Sequence, residues 1–163
     1  MLEQLLTGEQ ETLALAGELA ELLAPGDLIG LEGGLGAGKT TFARGAIRRL
    51  GVPAEIAVTS PTFALVHQYD GRLPIAHADF YRLTNGAELE ELGIDELLEE
   101  GSVLFVEWGR KFPSVASRAS LWVDLEIVTD ETRRVQLRSN GSRGDVLIAG
   151  LRSRLFATRR GLW

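Results

Sequence analysis

Gly33-Gly34-Leu35-Gly36-Ala37-Gly38-Lys39-Thr40 is the stretch of this chain that decides its fold. Glycines at the first and sixth positions, followed by Lys and Thr, make a P-loop, which wraps a phosphate chain with backbone N–H groups. We expect all four glycines to tolerate positive φ and to let the backbone approach a ligand closely. Lys39 is then expected to reach the β- and γ-phosphate oxygens, and the Thr40 hydroxyl to bind Mg²⁺.

The residues on either side of this loop supply the context that the motif requires. Residues 27–32 form a short apolar run of strand length after a Pro-Gly turn, and residues 41–50 have helical spacing that stops at Gly51 and Pro53. The helix N-terminus adds partial positive charge beneath the phosphates. Strand, glycine loop and helix in this order predict an α/β fold of the P-loop NTPase class. We expect a central, mostly parallel sheet flanked by helices, with additional antiparallel strands.

Length and composition limit the alternatives. The 163 residues suit one domain with a substantial core, and the hydrophobic content of 45% is ordinary for a soluble protein. The chain has no cysteine, which excludes disulfides and thiolate metal sites. Its start lacks the basic region of a signal peptide, and no apolar run reaches the length of a membrane span. We therefore expect a cytoplasmic protein without membrane association.

Charge is distributed unevenly along the chain. Residues 1–130 hold 9 basic and 21 acidic side chains, whereas residues 131–163 hold 8 arginines and 2 acids. The acidic body predicts poor direct binding of nucleic acid. The arginines of the C-terminal part either contact phosphates or an acidic partner, or form a solvated helix face that balances the acidic body, which we favour.

Periodicity predicts the remaining elements. Helical spacing covers 9–24, with Thr7 as a candidate cap and Gln10 as its capping-box partner. Alternation predicts a strand over 63–69, a turn at Asp70-Gly71 and a return strand over 73–79. Further predictions are one or two short acidic helices within 86–100 broken at Gly93, strands at 102–107, near 121–128 and near 133–138, and a helix near 145–159. We assign 1–138 to the nucleotide-binding domain, and 139–163 to a basic extension of the same domain that begins with a loose joint at 139–144.

Two acidic residues end apolar runs and are candidates for the metal site. Glu107 follows Val-Leu-Phe-Val, and Asp79 follows Pro-Ile-Ala-His-Ala. A carboxylate directly after a buried run is unfavourable unless it is paired or binds metal. The alternative is that each carboxylate lies where its strand emerges into water.

Three other features are ambiguous in the sequence. The segment Thr59-Ser60-Pro61-Thr62 is either a γ-phosphate sensor, in which Ser60 or Thr62 bonds the metal or phosphate, or a proline turn. His77 shares a strand face with Asp79 and is either its hydrogen-bond partner or only structural. Trp108 is either a core residue or an exposed aromatic side chain close to the nucleotide.

These motifs together resemble the TsaE (YjeE) family over residues 7–130. The resemblance rests on the P-loop, then Ser60-Pro61-Thr62-Phe63, then the run from His77 to Leu83, then Glu107-Trp108. It implies an ATPase with Mg²⁺ that serves the formation of threonylcarbamoyladenosine at position 37 of tRNA. It also implies that the chain binds the TsaD–TsaB pair and meets tRNA only through that complex. Gly34 departs from the family, which usually has an acidic residue at this position.

The resemblance also implies roles for particular residues. Lys39, Asp79 and Glu107 are the expected catalytic residues, and Thr40, Asp79 and Glu107 the expected metal ligands. The expected nucleotide contacts come from the N-terminal region near the adenine, the P-loop, and the segment before the hairpin: Thr7, Gly34, Leu35, Gly36, Ala37, Gly38, Lys39, Thr40, Thr41, Ser60 and Thr62.

Two other functions use the same loop. A small-molecule kinase would need arginines that close over the phosphates, for which Arg82 and Arg110 are the candidates. A nucleotide-gated binding module would use ATP only to set its conformation. A GTPase is disfavoured because the chain lacks an Asn-Lys-x-Asp motif, and the preference for adenine rests on the resemblance.

Overall fold

The computed structural model describes the backbone of residues 1–160 and the side chains of residues 1–158. The last three residues of the predicted basic extension, 161–163, lie outside the described residues. The strands are β1 Leu2–Thr7, β2 Leu28–Glu32, β3 Val66–Asp70, β4 Pro74–Asp79, β5 Val103–Glu107, β6 Leu121–Ile127 and β7 Thr132–Ser139. The helices are α1 Gly8–Ala20, α2 Lys39–Arg49, α3 Gly86–Glu90, α4 Ile94–Glu99, α5 Pro113–Arg118 and α6 Ser142–Arg160.

The strands form one seven-stranded sheet in the order β1-β7-β6-β2-β5-β4-β3. The four central strands, β6, β2, β5 and β4, are parallel, whereas β3, β7 and β1 join antiparallel at the two sides. The predicted fold class, a mostly parallel central sheet with added antiparallel strands, is confirmed. Because parallel strands end at the same edge of a sheet, β2, β4 and β5 deliver their last residues to one place.

Helices cover both faces of the sheet. On one face α1, α2 and α6 pack over the sheet and bury residues such as Leu19, Phe42 and Leu151. On the other face the short helices α3, α4 and α5 bury Leu89 and Val115 among others. This two-sided covering explains why β2 and β5 read as apolar runs rather than as alternating sequences.

Several local predictions differ from the structure. β1 and α5 were not predicted. The strand predicted from Phe63 begins only at Val66, because Leu65 adopts a positive φ of 64° and its N–H donates to the Pro61 carbonyl. The Thr7 side chain makes no cap hydrogen bond; instead its backbone N–H donates to Glu11 Oε2, so Gln10 is not the capping partner.

The segment predicted as a loose joint is closely packed. The Asn140 side-chain amide donates to the carbonyls of Ala116 and Ala119. A Cβ at Gly144 would lie 2.2 Å from the Ser120 carbonyl oxygen, so the first turn of helix α6 directly contacts Ser120, the residue before β6. The prediction of a loose segment was wrong because its small residues serve a close approach rather than mobility.

Arginines of the C-terminal part pair with the acidic body. Arg143 bonds Asp27, Arg154 bonds Glu18 and Arg134 bonds Glu126. Arg138 approaches Asp124 at 3.4 Å. These arginines therefore balance the acidic body as expected, but they do so through specific ion pairs, and Arg134 and Arg138 lie on β7 rather than on a helix face.

Candidate functional site

The P-loop connects the end of β2 to the first turn of α2. Gly33, Gly36 and Gly38 have positive φ of 148°, 76° and 108°. Gly33 also lies against β6, since a Cβ there would be 2.3 Å from the Leu125 carbonyl oxygen. Gly34 does not have positive φ, and a Cβ there would meet no heavy atom within 4 Å. The loop therefore uses the tolerance of positive φ at three of the four glycines and does not use it at Gly34.

Lys39 curls back over the loop from which it emerges. It is 6% exposed, and its ammonium donates to the carbonyls of Gly33 and Gly34 at 2.7 and 2.9 Å. The ammonium also lies 4.4 Å from the centroid of the Trp108 ring. Burial lowers the pKa of Lys39, and the carboxylates of Glu107 and Asp79 oppose that shift. A poorly hydrated ammonium at the mouth of a glycine loop is well placed to exchange carbonyl oxygens for phosphate oxygens.

Thr40 and Glu107 are in direct contact. The Thr40 hydroxyl donates to Glu107 Oε1 at 2.6 Å. Glu107 is 2% exposed, so its carboxylate does not simply emerge into water, and the alternative of a solvated strand end does not hold. The two groups expected to bind the metal are thus already side by side.

Asp79 ends β4 in register with Glu107 at the end of β5. It is 7% exposed and accepts hydrogen bonds from the Ser60 hydroxyl at 2.7 Å and from the Tyr81 N–H at 2.9 Å. The Thr62 hydroxyl in turn lies 3.4 Å from the Ser60 hydroxyl. The segment before the hairpin, residues 59–62 ahead of β3 and β4, therefore donates a hydrogen bond to a candidate metal ligand. Its role as a phosphate sensor stays a prediction.

His77 lies against the carboxylate of Glu107. Its Nε2 is 3.5 Å from Glu107 Oε1 on the neighbouring strand. Within the described residues neither ring nitrogen has a hydrogen-bond partner. Of the two interpretations of His77, the hydrogen bond to Asp79 is not found among the described residues, and the ring lies beside the Glu107 side chain instead.

A cavity of about 410 Å³, the P-loop cavity, opens over these residues. It gathers most of the residues predicted for the site: Leu35, Gly36, Gly38, Lys39, Thr40, Thr41, Ser60, Thr62, Asp79 and Glu107. Tyr81, Arg82 and Trp108 line it as well. Tyr81 was not predicted, although its place two residues after a strand end that carries a candidate ligand was a usable signal. Trp108 is a wall of the site rather than a core residue.

A second cavity of about 310 Å³ lies on the other side of the loop. Gly36, Ala37, Gly38 and Thr41 line it together with Gly8 and Arg133 among other residues. Thr7 lines neither cavity, but it immediately precedes Gly8 at the start of α1. Of the predicted contacts, Thr7 and Gly34 are therefore the two that neither cavity brings to its wall.

The oxygen ligands at the P-loop cavity suit a small hard cation. The described residues contain no group of three or more His, Asp or Glu side chains arranged for a metal ion. Two carboxylates and a hydroxyl are available, and Mg²⁺ is usually bound by one or two carboxylates with phosphate oxygens and water supplying the rest. The residues present therefore fit a metal that arrives with a phosphate ligand rather than one held by protein alone.

Among the described helices, none is both long enough and apolar enough to traverse a membrane.

Comparisons with known proteins give this geometry its context. A family model described as "Threonylcarbamoyl adenosine biosynthesis protein TsaE" matches residues 6–135. The chain is similar to the tRNA threonylcarbamoyladenosine biosynthesis protein TsaE of Bacillus subtilis, at 37% identity over 139 residues that cover 85% of each chain. It is 43% identical over 138 residues to the protein of the same description from Streptomyces coelicolor, which covers 79% of this chain and 90% of that protein.

A solved structure agrees with the sequence matches. The crystal structure of Bacillus subtilis YdiB is similar with a TM-score of 0.78 and 30% identity, covering 94% of this chain and 95% of that one. The family match spans most of the chain and includes the P-loop, both candidate carboxylates and the segment before the hairpin. The resemblance inferred from the motifs is confirmed, and the chain belongs to the TsaE family.

Proposed function

We propose that this chain is the ATP-binding and ATP-hydrolysing component of the machinery that makes threonylcarbamoyladenosine at position 37 of tRNA. In this proposal it supports repeated turnover of the TsaD–TsaB pair. Its membership of a family of threonylcarbamoyladenosine biosynthesis proteins supports the pathway. The geometry of the P-loop cavity supports the chemistry.

The observation that carries the proposal is the convergence of Lys39, Thr40, Asp79 and Glu107 on one wall of one cavity. P-loop chemistry requires backbone donors and a lysine for the phosphates, a hydroxyl and a carboxylate for Mg²⁺, and a group that orients water. When bound, Mg²⁺ neutralises charge on the β- and γ-phosphate oxygens. In our proposal Thr40 and Glu107 hold the metal, and Asp79 completes the site.

The positions of the side chains suggest how they act. Lys39 would leave the carbonyls of Gly33 and Gly34 for phosphate oxygens, which compensate its charge better than neutral carbonyls do. Ser60 holds one oxygen of Asp79 at 2.7 Å, which fixes the direction of the carboxylate. That fixed carboxylate is suited to orient a metal ligand or the attacking water, while Trp108 limits the access of bulk water to Lys39.

The rim of the cavity supports dependence on a protein partner. Leu35 is 69% exposed and Phe63 is 86% exposed. Exposed apolar side chains beside a functional site favour contact with another protein. The excess of acidic side chains in residues 1–130 disfavours a direct grip on tRNA. We therefore propose TsaD and TsaB as the partners, with tRNA engaged only through them.

The kinase alternative loses one of its two candidate arginines. Arg110 pairs with Asp124 at 2.8 Å and lies over the Trp122 ring, so it is engaged on the far side of the P-loop. Arg82 does line the cavity, where its guanidinium lies over the Phe63 ring. One arginine stacked on an exposed aromatic side chain is weaker support for a kinase lid than two that face the phosphates.

ATP hydrolysis by the purified chain tests the proposal. Wild type and Glu107→Ala are compared, each with and without the TsaD–TsaB pair. We expect slow hydrolysis by the chain alone, faster hydrolysis with the pair, and loss of both in the variant. Hydrolysis that does not respond to the pair would contradict the proposed partner and direct attention to a phosphoryl acceptor. Tight nucleotide binding with unchanged tRNA modification in Glu107→Ala would instead support the nucleotide-gated module.

A further inference from the structure

His77 is a fully buried imidazole that has no role in the mechanism proposed above. It lies in the middle of β4, opposite Phe105 of β5 and His67 of β3. Its exposure is 0%, and within the described part of the chain neither of its nitrogens is hydrogen-bonded. An unpaired N–H in a protein interior is unfavourable, and such groups call for an explanation.

The carboxylate of Glu107 is an acceptor close to this ring. His77 Nε2 lies 3.5 Å from Glu107 Oε1. This separation is about 0.5 Å longer than a normal N–H···O hydrogen bond. The same oxygen already accepts the Thr40 hydroxyl at 2.6 Å. Glu107 Oε1 therefore lies between two donors, of which only one is bonded in this conformation.

The two donors differ in what else they can do. The Thr40 hydroxyl lines the P-loop cavity and can turn to a ligand, whereas His77 is enclosed by the sheet. If Thr40 turned away, the buried Glu107 carboxylate would lose its donor, which is unfavourable for an ion that is 2% exposed. A shift of about half an ångström would bring His77 within hydrogen-bond distance. The other nearby carboxylate, Asp79, is already held by Ser60 and the Tyr81 N–H.

We propose that His77, as the neutral Nε2–H tautomer, is a positioning residue that takes over the Glu107 carboxylate when Thr40 releases it. The carboxylate then keeps its direction in both states, with and without a cavity ligand. The event that moves Thr40 rests on the proposed function, but the exchange of donors does not. It can be tested in the nucleotide-free protein.

The first test creates the exchange by substitution. Thr40→Val removes the hydroxyl with little change in volume. The chain has 2 histidines, so a His67→Gln background leaves His77 as the only imidazole for ¹⁵N NMR. In Thr40→Val we expect the Nε2–H tautomer with a downfield, slowly exchanging proton, which the parent lacks. Thr41→Val is the matched control, because Thr41 lines the same cavity but is not a hydrogen-bond partner of Glu107 in the described residues.

The second test measures coupling by chemical denaturation without nucleotide. His77→Leu removes the donor, and His77→Gln keeps an N–H donor. We expect the increase in the unfolding constant caused by His77→Leu to be about tenfold larger in the Thr40→Val background than in wild type. His77→Gln should restore most of that difference, which a purely packing role would not produce. Additive effects, together with an unchanged imidazole signal in Thr40→Val, would overturn the proposal.

A nucleotide arm separates this inference from the proposed function. Mg²⁺ and a non-hydrolysable ATP analogue are added to the protein that carries only His67→Gln. Appearance of the same imidazole signal supports both proposals. If the imidazole signal appears in Thr40→Val but the protein that carries only His67→Gln does not bind the analogue, the ATPase proposal is overturned and the role of His77 stands. Binding of the analogue with the imidazole signal unchanged in every sample would overturn the role of His77 alone.

Discussion

The Thr40 hydroxyl donates to Glu107 Oε1 at 2.6 Å, which joins the first turn of α2 to the end of β5 although 67 positions separate them in the chain. The sheet creates this contact, because Leu31 at the end of the P-loop strand is in register with Glu107. Hydroxyl and carboxylate therefore converge before any ligand arrives. Such preorganisation reduces the rearrangement that metal binding would require.

Glu107→Gln should separate nucleotide binding from hydrolysis. The amide keeps the volume of the side chain and can still accept the Thr40 hydrogen bond, but it lacks the charge that a metal requires. We expect affinity for an ATP analogue within about threefold of wild type and a fall in ATP turnover of about 100-fold. Isothermal titration and single-turnover hydrolysis check the two parts. Glu99→Gln, on the exposed side of α4, is the matched control. Turnover near the wild-type rate in Glu107→Gln would show that Glu107 has no part in the proposed chemistry.

Two glycines of the P-loop should respond differently to alanine. Gly36 has φ of 76° with open space around its Cα, so the only cost of Gly36→Ala is backbone strain, which should lower the free energy of unfolding by about 1 kcal/mol. If the loop changes conformation to relieve this strain, it should also bind an ATP analogue about tenfold more weakly. Gly34 lacks positive φ and has open space, so Gly34→Ala should change the free energy of unfolding by less than about 0.5 kcal/mol. Gly34→Asp, which introduces the family's usual acidic type, should fold equally well.

Thermal denaturation and analogue titration of the three glycine variants check this pair of expectations. A destabilised Gly34→Ala would show that the loop has a conformation different from the one described. Equal analogue affinity in Gly36→Ala and wild type would show that positive φ at Gly36 does not serve phosphate binding.

The fold was predictable where the determining signal is local. The glycine loop, the apolar run of β5 and the Asp70-Gly71 turn each specify their own structure within a few residues. β1 was not, because its six residues are ordered by pairing with β7, about 130 positions away. α5 was not, because it is short and buries only Val115. No periodicity signal can report a partner that lies elsewhere in the chain.

The site was predictable in composition but not in its contacts. Acidic residues after buried strands identified Glu107 and Asp79 as candidates, because parallel strands end at one edge of the sheet. The hydrogen bonds from Thr40 and Ser60 depend on how α2 and the preceding segment dock, which the sequence does not report. The interpretation of His77 used the spacing within one strand, where residues two apart are separated by about 7 Å. On the neighbouring strand the residue directly opposite His77 is Phe105, and Glu107 pairs with Asp79, so the contact between His77 and Glu107 depends on how the Glu107 side chain extends, which strand spacing does not report.

Arg143→Met should destabilise the protein through a carboxylate far from the P-loop. Asp27 is buried and accepts from the Arg143 guanidinium at 2.6 and 2.9 Å and from the Ser120 hydroxyl at 3.0 Å. The hydrogen bond to Asp27 also raises the pKa of Arg143. Removal of the guanidinium leaves a buried charge with weaker compensation, and because Arg143 is itself partly exposed we expect a loss of about 2 kcal/mol.

Urea denaturation measures that loss, with Arg152→Met as the matched control. Arg152 lies on the same helix, and the Met1 carbonyl is its one acceptor among the residues whose side chains are described, so its loss should change stability by less than about 0.5 kcal/mol. Restoration of stability by Asp27→Asn in the Arg143→Met background would confirm that the unpaired charge is the cause. Equal effects of the two arginine substitutions would contradict it.

Glu21 at the end of α1 should give a small contribution to stability that disappears in acid. The hydrogen bond from Arg49 lowers the pKa of Glu21 below its ordinary value of 4.5, and the charges of Arg49 and Arg72 act in the same direction against desolvation. The carboxylate is thus favoured in the folded state, so its contribution is fully present above pH 4.5 and is lost as the pH falls through the lower folded-state pKa. Because Arg49 is 49% exposed, we expect this contribution to stability to be only about 0.5 kcal/mol.

The difference in unfolding free energy between wild type and Glu21→Gln should therefore be constant near neutral pH, shrink below pH 4.5 and decrease in 1 M salt. Glu55→Gln, at an exposed site in a loop, should show no such difference, and a Glu21→Gln difference that grows in acid would reverse the sign argued here.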